Sequence, residues 1–370
     1  MSLDPDERQR RLHEASRTLR EGGSVVMPTE TLYGLFTRAS DEGATLLAQL
    51  TSEPQVVNTP MFTLHLGDPQ PILPMLALES PVARRLVHRL MPGAVRFVLR
   101  QPEPVLHEVC EAVGIGRGLI DDGESVALRL PDHPIARAVI RGAGGWALAR
   151  GVGASRWGSG QGAGDLESTR IYEDEHEPPD AFIDDGPTLH AKGSTTIDLW
   201  PQGRFSVHAG GAVDEAQVMR VLTTRVLFVC TGNTCRSPMA EALARAWARE
   251  RAPEGLTLEM DSAGIAAGEG QPAAESAVRS VGDHGGELSE HRSKALTPAL
   301  VDWADVIFTM TPSHAQAVMQ MAPGSVHKVY PIDPQHPVDD PIGQAIGVYR
   351  EVRDQLAGLI AKRLQEIIDE

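Results

Sequence analysis

Two of the three cysteines in this 370-residue chain lie five residues apart, in the segment CTGNTCRSPMAE that begins at Cys230. The second of them, Cys235, is followed directly by Arg236. A thiolate is a strong nucleophile, and a guanidinium binds two oxygens of an anion at once. These residue types therefore indicate nucleophilic attack on an anionic group such as a phosphate.

The residues around the two cysteines predict a loop between a strand and a helix. RVLFVC, residues 225–230, has the composition of a buried strand, and Ser237 followed by Pro238 predicts the first turn of a helix. Gly232 and Asn233 tolerate left-handed backbone, so the loop can turn its N–H groups inward. Inward N–H groups and a helix N-terminus attract anions, which would stabilise a thiolate and hold a phosphate.

Two other interpretations of these cysteines are a buried structural thiol and a zinc site. A zinc site requires further cysteine or histidine ligands at short spacing, and none follow in the sequence. We therefore favour the nucleophile and expect no metal.

The residues after 225 alternate regularly between strand and helix patterns. Strands are predicted at 225–230, 257–264 and 303–310, and helices at about 238–251, 272–285, 312–322 and 344–369. Met239, Leu243 and Trp247 form a stripe that would anchor the first of these helices on the sheet. This alternation predicts a doubly wound parallel sheet, in which ligands bind beyond the carboxyl ends of the strands.

The motifs VCTGNTCRSPMAE, DSAG, HRSKALT, ADVIFTMT and DDPIG occur in the order seen in low-molecular-weight protein tyrosine phosphatases, and the resemblance covers residues 225–370. It implies that Cys230 takes the phosphoryl group and that Arg236 holds it in the transition state. Asp340 would protonate the leaving group and then activate water, with Asp339 as the neighbouring alternative. No cofactor is expected for this reaction.

The same resemblance implies a set of residues that bind the phosphate or support the loop. They are Thr231, Gly232, Asn233, Thr234, Cys235, Ser237, Ser262 and His291. A reversible disulfide between Cys230 and Cys235 would protect the thiolate from over-oxidation.

The resemblance implies a phosphorylated protein as the substrate. The phosphorylated side chain is either arginine or tyrosine. Thr234 resembles the protein arginine phosphatase branch, because tyrosine-directed members usually carry an aliphatic residue there. A phosphotyrosine pocket needs aromatic walls, yet Ile342 follows Asp340-Pro341 and IAAGEGQP follows DSAG. Ile342 also departs from the aromatic residue of the arginine branch. We therefore favour phosphoarginine over phosphotyrosine.

The first half of the chain resembles the YrdC-like threonylcarbamoyl-AMP synthases. The matching segments are GGSVVMPTETLYGL (22–35), MPGAVRFVL (91–99), VALRLPDHP (126–134), DDGP (184–187) and STTIDL (194–199). The resemblance implies a twisted, mostly mixed α/β sheet around a cavity. It also implies synthesis of threonylcarbamoyl-AMP from threonine, bicarbonate and ATP for tRNA modification.

Several residues depart from that family. The Lys-x-Arg motif is replaced by LTSEPQVVNTP (50–60), which places Glu53 where cations are expected, and ALARGVGASRWGSG (147–160) replaces the Ser-Ala-Asn motif. Arg96 stands in place of threonine, and His208 in place of arginine. The retained ligand candidates are Thr29, Thr31, Tyr33, Arg129, Ser194 and Thr195. We expect a degenerate binding or regulatory module, with an ATP-using synthase or a nucleotide- or tRNA-related binding module as the alternatives.

These patterns predict two domains, residues 1–222 and 223–370. The net charge of −16 disfavours general binding to nucleic acid or anionic membranes. A charged N-terminus without an apolar stretch, and too few cysteines for a disulfide framework, predict a cytoplasmic protein.

Overall fold

The computed structural model describes residues 5–51, 62–151, 178–208 and 210–369. The chain divides into two compact units, Met1–Arg220 and Val221–Glu370. A membrane-spanning helix, which requires at least 18 largely apolar residues, does not occur in the described part of the chain.

The first unit is a mixed α/β structure. Its strands are β1 (Ser24–Pro28), β2 (Tyr33–Arg38), β3 (Thr63–Leu66), β4 (Val95–Arg100), β5 (Ser125–Arg129), β6 (Trp146–Gly151), β7 (Ala181–Phe182), β8 (Thr195–Leu199) and β9 (Phe205–Val207). Its helices are α1 (Pro5–Arg20), α2 (Asp41–Thr51), α3 (Pro81–Leu90), α4 (Glu103–Val113), α5 (Pro134–Gly142) and α6 (Glu215–Val221), the last of which ends at the boundary between the units.

These nine strands form one sheet in the order β7-β1-β2-β6-β3-β5-β4-β8-β9. The pairs β1–β7, β3–β5 and β4–β8 are parallel, and the other neighbours are antiparallel. On one side, α1 and α5 bury apolar side chains such as Leu19 and Ile140 against the sheet. The mixed sheet expected from the YrdC-like resemblance is therefore confirmed.

Among its described residues, the second unit has four strands and five α-helices. They are β10 (Thr223–Cys230), α7 (Arg236–Arg251), β11 (Thr257–Gly264), α8 (Glu275–Gly282), α9 (Pro298–Trp303), β12 (Val306–Thr309), α10 (Pro312–Met321), β13 (Val329–Pro331) and α11 (Ile346–Asp369). All strand pairs are parallel, in the order β11-β10-β12-β13. The predicted doubly wound parallel sheet is confirmed, and Cys230 ends its central strand β10.

The alternation along β10 explains why helices cover both faces of this sheet. Val226 and Phe228 point into the core formed with α7, α8 and α11, which includes Met239 and Leu243 from the predicted stripe. Leu227 joins the opposite core, formed with α9 and α10. Successive residues of a strand face opposite sides, so the apolar carboxyl-terminal part of β10 supplies both cores.

Some element boundaries differ from the prediction. The helix expected at 238–251 begins at Arg236, so Pro238 is its third residue. Proline is tolerated there because the first N–H groups of a helix have no partner within the helix. The strand expected at 303–310 spans only Val306–Thr309, because α9 continues to Trp303.

Candidate active site

The segment between β10 and α7, which we call the cysteine loop (residues 230–236), surrounds a buried sulfur. Cys230 is 2% exposed. The backbone N–H of Asn233 donates to its Sγ at 3.3 Å, and Ser237 Oγ lies 3.0 Å from the same atom. The sulfur therefore lies beside two polar groups at the N-terminus of α7.

Asn233 holds the cysteine loop together. Its φ of 52° is left-handed, a conformation that asparagine tolerates better than most residues. Its side-chain amide donates to Ser237 Oγ at 3.0 Å and to Ser262 Oγ at 2.9 Å, and its Oδ1 accepts the Lys294 N–H at 2.9 Å. His291 Nε2 donates to the Asn233 carbonyl at 2.8 Å. The structure thus brings Asn233, Ser237, Ser262 and His291 together, and their supporting role stays a prediction.

Gly264, the last residue of β11, lies directly beneath the loop. A Cβ atom at this position would lie 2.5 Å from the carbonyl oxygen of Thr231 and 2.9 Å from the nitrogen of Asn233. Both atoms belong to the backbone, so they cannot move aside as the end of a side chain could. Only glycine allows the strand to approach the loop this closely.

Arg236 carries the cation of the site, and its side chain is 6% exposed. Nη1 donates to the Val338 carbonyl at 3.2 Å, and Nη2 donates to Thr231 Oγ1 at 3.4 Å. Nη2 also forms a short ion pair with Oδ2 of Asp340. Nε is buried without a hydrogen-bond partner among the described residues. The guanidinium is therefore held on the loop by its contacts with Val338, Thr231 and Asp340.

Cys235 is a buried thiol. Its Sγ is 3.4 Å from the hydroxyl of Tyr349 and 3.7 Å from the hydroxyl of Thr234. Burial raises the pKa of the Cys235 thiol. All three cysteines of the chain are free thiols. The expected Cys230–Cys235 disulfide stays a prediction.

Ile342 and Tyr349 contact residues of the site. Ile342 is 64% exposed, and its N–H donates to Asp340 Oδ1 at 3.2 Å. Tyr349, by contrast, is only 3% exposed and directs its hydroxyl at Cys235. Neither residue offers an exposed ring for stacking.

In the first unit, four ligand candidates divide into two groups. Arg129 Nη2 lies 2.7 Å from a carboxylate oxygen of Glu30 and 2.8 Å from the hydroxyl of Thr31, and Thr29 Oγ1 lies 2.9 Å from that of Thr31. Tyr33 is separate: its hydroxyl donates to the Gly186 carbonyl at 2.9 Å, and burial raises its pKa to about 12. The positive charge of Arg129, which lies beside Thr29 and Thr31, is therefore neutralised by the carboxylate of Glu30.

The remaining two candidates adjoin each other at the start of β8. Thr195 is buried, and its hydroxyl donates to the Val213 carbonyl at 2.5 Å. Ser194 is half-buried. This hydrogen bond ties the hydroxyl of Thr195 to the protein's own backbone.

Residues 225–370 match the sequence profile described as low molecular weight phosphotyrosine protein phosphatase. Over 148 residues the chain is 36% identical to the protein-arginine-phosphatase of Geobacillus stearothermophilus. This alignment covers 39% of this chain and 95% of that protein. In a crystal structure, a low molecular weight protein tyrosine phosphatase from T. tengcongensis is 37% identical in sequence to the aligned part of this chain. The superposition has a TM-score of 0.37 and covers 39% of this chain and 99% of the T. tengcongensis chain. The second unit belongs to this phosphatase family.

Residues 17–208, just over half of the chain, match the Sua5/YciO/YrdC profile, which is described as telomere recombination. Over 196 residues the chain is 29% identical to a "Putative threonylcarbamoyl-AMP synthase" of Mycobacterium tuberculosis (strain ATCC 25618 / H37Rv). This alignment covers 53% of this chain and 82% of that protein. The first unit belongs to the Sua5/YciO/YrdC family. Both resemblances drawn from the sequence are confirmed.

Two of the departures from the Sua5/YciO/YrdC motifs are visible in the structure. Arg96 is directed at Thr63, with 2.7 Å between Nε and Oγ1. His208 Nε2 lies 2.9 Å from Asp198 Oδ2. Each replacement therefore has a partner within the unit. Glu53 and residues 152–160 of the segment that replaces Ser-Ala-Asn lie outside the described residues.

Sequence reasoning missed three side chains at the phosphatase-family site. Glu241 accepts the Ser262 hydroxyl at 2.6 Å, Tyr349 contacts Cys235, and His314 Nε2 lies 2.9 Å from Thr231 Oγ1. A signal existed for His314, because the start of a helix that follows a parallel strand lies at the ligand-binding edge of the sheet. Glu241 and Tyr349 lie inside helices, where no local pattern distinguishes them from packing residues.

Proposed function

We propose that the second unit hydrolyses phosphorylated protein side chains through a cysteinyl-phosphate intermediate. The observation that carries this proposal is the cysteine loop itself, in which Cys230 Sγ lies 3.3 Å from an inward N–H group and 3.0 Å from the Ser237 hydroxyl. Arg236 closes the same loop with a buried guanidinium. A preorganised set of donors around a nucleophile is the arrangement that stabilises a phosphoryl transition state.

In the first step, the Cys230 thiolate attacks phosphorus, and an S–P bond forms as the bond to the leaving group breaks. The electron pair of that bond stays with the leaving atom, which takes a proton from the carboxyl group of Asp340. In the second step, the Asp340 carboxylate takes a proton from water. The water oxygen bonds to phosphorus, the S–P bond breaks, and inorganic phosphate and the thiolate are released.

The test is hydrolysis of a generic aryl phosphate by the full chain. The wild-type protein should turn over and, when quenched in alkali, retain the phosphoryl group on Cys230, whereas Cys230→Ser should not turn over. Cys110→Ser is the matched control, because that thiol lies in the first unit beside Asp121. Turnover by Cys230→Ser at the wild-type rate would refute the mechanism.

We propose phosphoarginine as the preferred substrate. The relative from Geobacillus stearothermophilus, named as a protein-arginine-phosphatase, supports it. The exposed residue beside Asp340 is Ile342 rather than an aromatic residue, which also favours a substrate without a ring to stack. When matched peptides are compared, kcat/KM should be higher for the phosphoarginine peptide than for the phosphotyrosine peptide. Thr234→Ile should reduce this difference in kcat/KM. A higher kcat/KM for the phosphotyrosine peptide would reverse this assignment.

For the first unit we propose a binding or regulatory role without synthase activity. A triphosphate requires unpaired cations. Arg129, however, is paired with Glu30 at 2.7 Å, so the charge of this retained candidate is already compensated within the unit. Incubation with ATP, threonine and bicarbonate should release no pyrophosphate, and a threonine-dependent pyrophosphate signal would establish the synthase instead.

We also infer a cytoplasmic location, which the three free thiols support, because reduced cysteines are typical of that compartment.

A further inference from the structure

His314, the third residue of α10, contacts the cysteine loop although the proposed mechanism assigns it no task. The residue is 4% exposed. Its Nε2 lies 2.9 Å from Thr231 Oγ1, and its Nδ1 lies 2.8 Å from Thr311 Oγ1. Both ring nitrogens therefore have a hydroxyl partner, and one of these hydroxyls belongs to the residue that follows Cys230.

The charge of His314 follows from its surroundings. Burial, followed by the nearby Arg236 guanidinium, lowers the pKa of His314 to about 4, while the Asp340 carboxylate acts in the opposite direction. At pH 7 the imidazole is therefore neutral, with one N–H donor and one acceptor nitrogen.

A neutral imidazole donates from one nitrogen and accepts at the other, so both hydroxyl partners of His314 are engaged in either tautomer. Thr311 Oγ1 also accepts the backbone N–H of His314 at 3.3 Å and lies 2.8 Å from Ser313 Oγ. The ring is therefore held from both sides, with Nε2 against the Thr231 hydroxyl.

Thr231 connects this histidine to the cation of the site. The same Oγ1 accepts a hydrogen bond from Nη2 of Arg236 at 3.4 Å, and that nitrogen also pairs with Asp340. When Asp340 leaves this pair to protonate a leaving group, Thr231 and the Val338 carbonyl remain as partners of the guanidinium.

We propose that His314 is a positioning residue of the phosphatase site, which fixes the Thr231 hydroxyl beside Nη2 of Arg236 so that the guanidinium stays aligned on the loop during phosphoryl transfer. This inference rests on the proposed function. It assigns His314 to the chemical step, because Arg236 has to stay aligned on the phosphoryl group in the transition state after that group has displaced Asp340 from the guanidinium.

The test compares two substitutions of similar size. His314→Leu fills the space without a donor, whereas His314→Gln retains an N–H group. We expect His314→Leu to lower kcat about tenfold with KM within about twofold, since small displacements of a catalytic group have effects of this order or larger. His314→Gln should recover most of the loss. Gln316→Ala, at an exposed position of the same helix, is the control and should behave as the wild type does.

Thr231→Val tests the same contact from the loop side and keeps the shape of the residue if His314→Leu fails to fold. It should reproduce the loss in kcat, and the double variant Thr231→Val/His314→Leu should be no slower than either single variant. Additive losses, or a wild-type kcat in Thr231→Val, would contradict the inference.

Failure of the proposed function is recognised separately. If Cys230→Ser hydrolyses the aryl phosphate as fast as the wild-type protein does, the mechanism itself is wrong. If Cys230→Ser is inactive while His314→Leu, corrected for its folded fraction, keeps the wild-type kcat, only the role of His314 is refuted.

Discussion

Nη2 of Arg236 and Oδ2 of Asp340 form an ion pair in which the arginine side chain is 6% exposed and the aspartate side chain 40% exposed. The proposed phosphate-binding cation is thus neutralised by the proposed general acid. A phosphorylated substrate has to displace this carboxylate, and the displacement places Asp340 next to the leaving group. The pair therefore makes phosphate binding and positioning of the acid a single event.

Removing the charge of Asp340 should separate these two effects. In Asp340→Asn the guanidinium no longer has a competing carboxylate, so inorganic phosphate should inhibit more strongly than it inhibits the wild type. Turnover should fall by about 10²–10⁴-fold, the usual contribution of a general acid. Steady-state kinetics with phosphate as the inhibitor measures both quantities.

Asp339→Asn is the matched control, since its side chain is exposed and adjacent in sequence. It should leave kcat and phosphate inhibition unchanged. If Asp339→Asn were the inactive variant, the general acid would have to be reassigned to that residue.

A methyl group at Gly264 should displace the cysteine loop. The Cβ atom of Gly264→Ala would lie 2.5 Å from the Thr231 carbonyl oxygen, so either β11 or the loop has to move. We expect a loss of about 1–3 kcal/mol in the free energy of unfolding, as for other overpacked sites. Hydrolysis should fall further than the change in the folded fraction explains. Denaturant unfolding and activity measured on the same preparation test this.

Gly268→Ala provides the comparison, because its nearest neighbour would be Gln271 Cγ at 3.7 Å, an ordinary contact. Equal effects at the two glycines would show that the close approach at Gly264 has no special importance.

The sequence was sufficient to predict the cysteine loop because its signal is local. A strand, two residues that tolerate left-handed backbone and a helix start all fall within a few positions, and Asn233 adopts a φ of 52° there. The pairs Arg236–Asp340 and Arg129–Glu30 join residues 104 and 99 positions apart. No local periodicity encodes such contacts, so they required the three-dimensional structure. The contact of His314 with Thr231 joins residues 83 positions apart, although the place of His314 at the start of α10 already put it at the ligand-binding edge of the sheet.

Iodoacetate should distinguish the three thiols at pH 7. Burial raises the pKa of Cys110 to about 12 and raises that of Cys235 as well, so both remain protonated and unreactive until the pH approaches these raised values. Cys230, beside the Asn233 N–H, should be alkylated first, and inorganic phosphate should protect it. Peptide mass spectrometry identifies the modified residue. Preferential labelling of Cys235, or labelling of Cys230 that phosphate does not slow, would contradict the assignment of the nucleophile.

The buried pair in the first unit should be sensitive to the loss of either charge. Glu30 and Arg129 have side chains 5% and 7% exposed, and Glu30 also accepts the Asp132 N–H at 3.1 Å. Glu30→Gln leaves the guanidinium without a counter-charge, which should cost about 3–5 kcal/mol in the free energy of unfolding of this unit. Glu124→Gln breaks the pair with Arg100, in which the glutamate is 79% exposed, and should cost less than about 1 kcal/mol. Denaturant unfolding of the full chain resolves the two cases, and similar losses in both variants would mean that Arg129 does not depend on Glu30 for its burial.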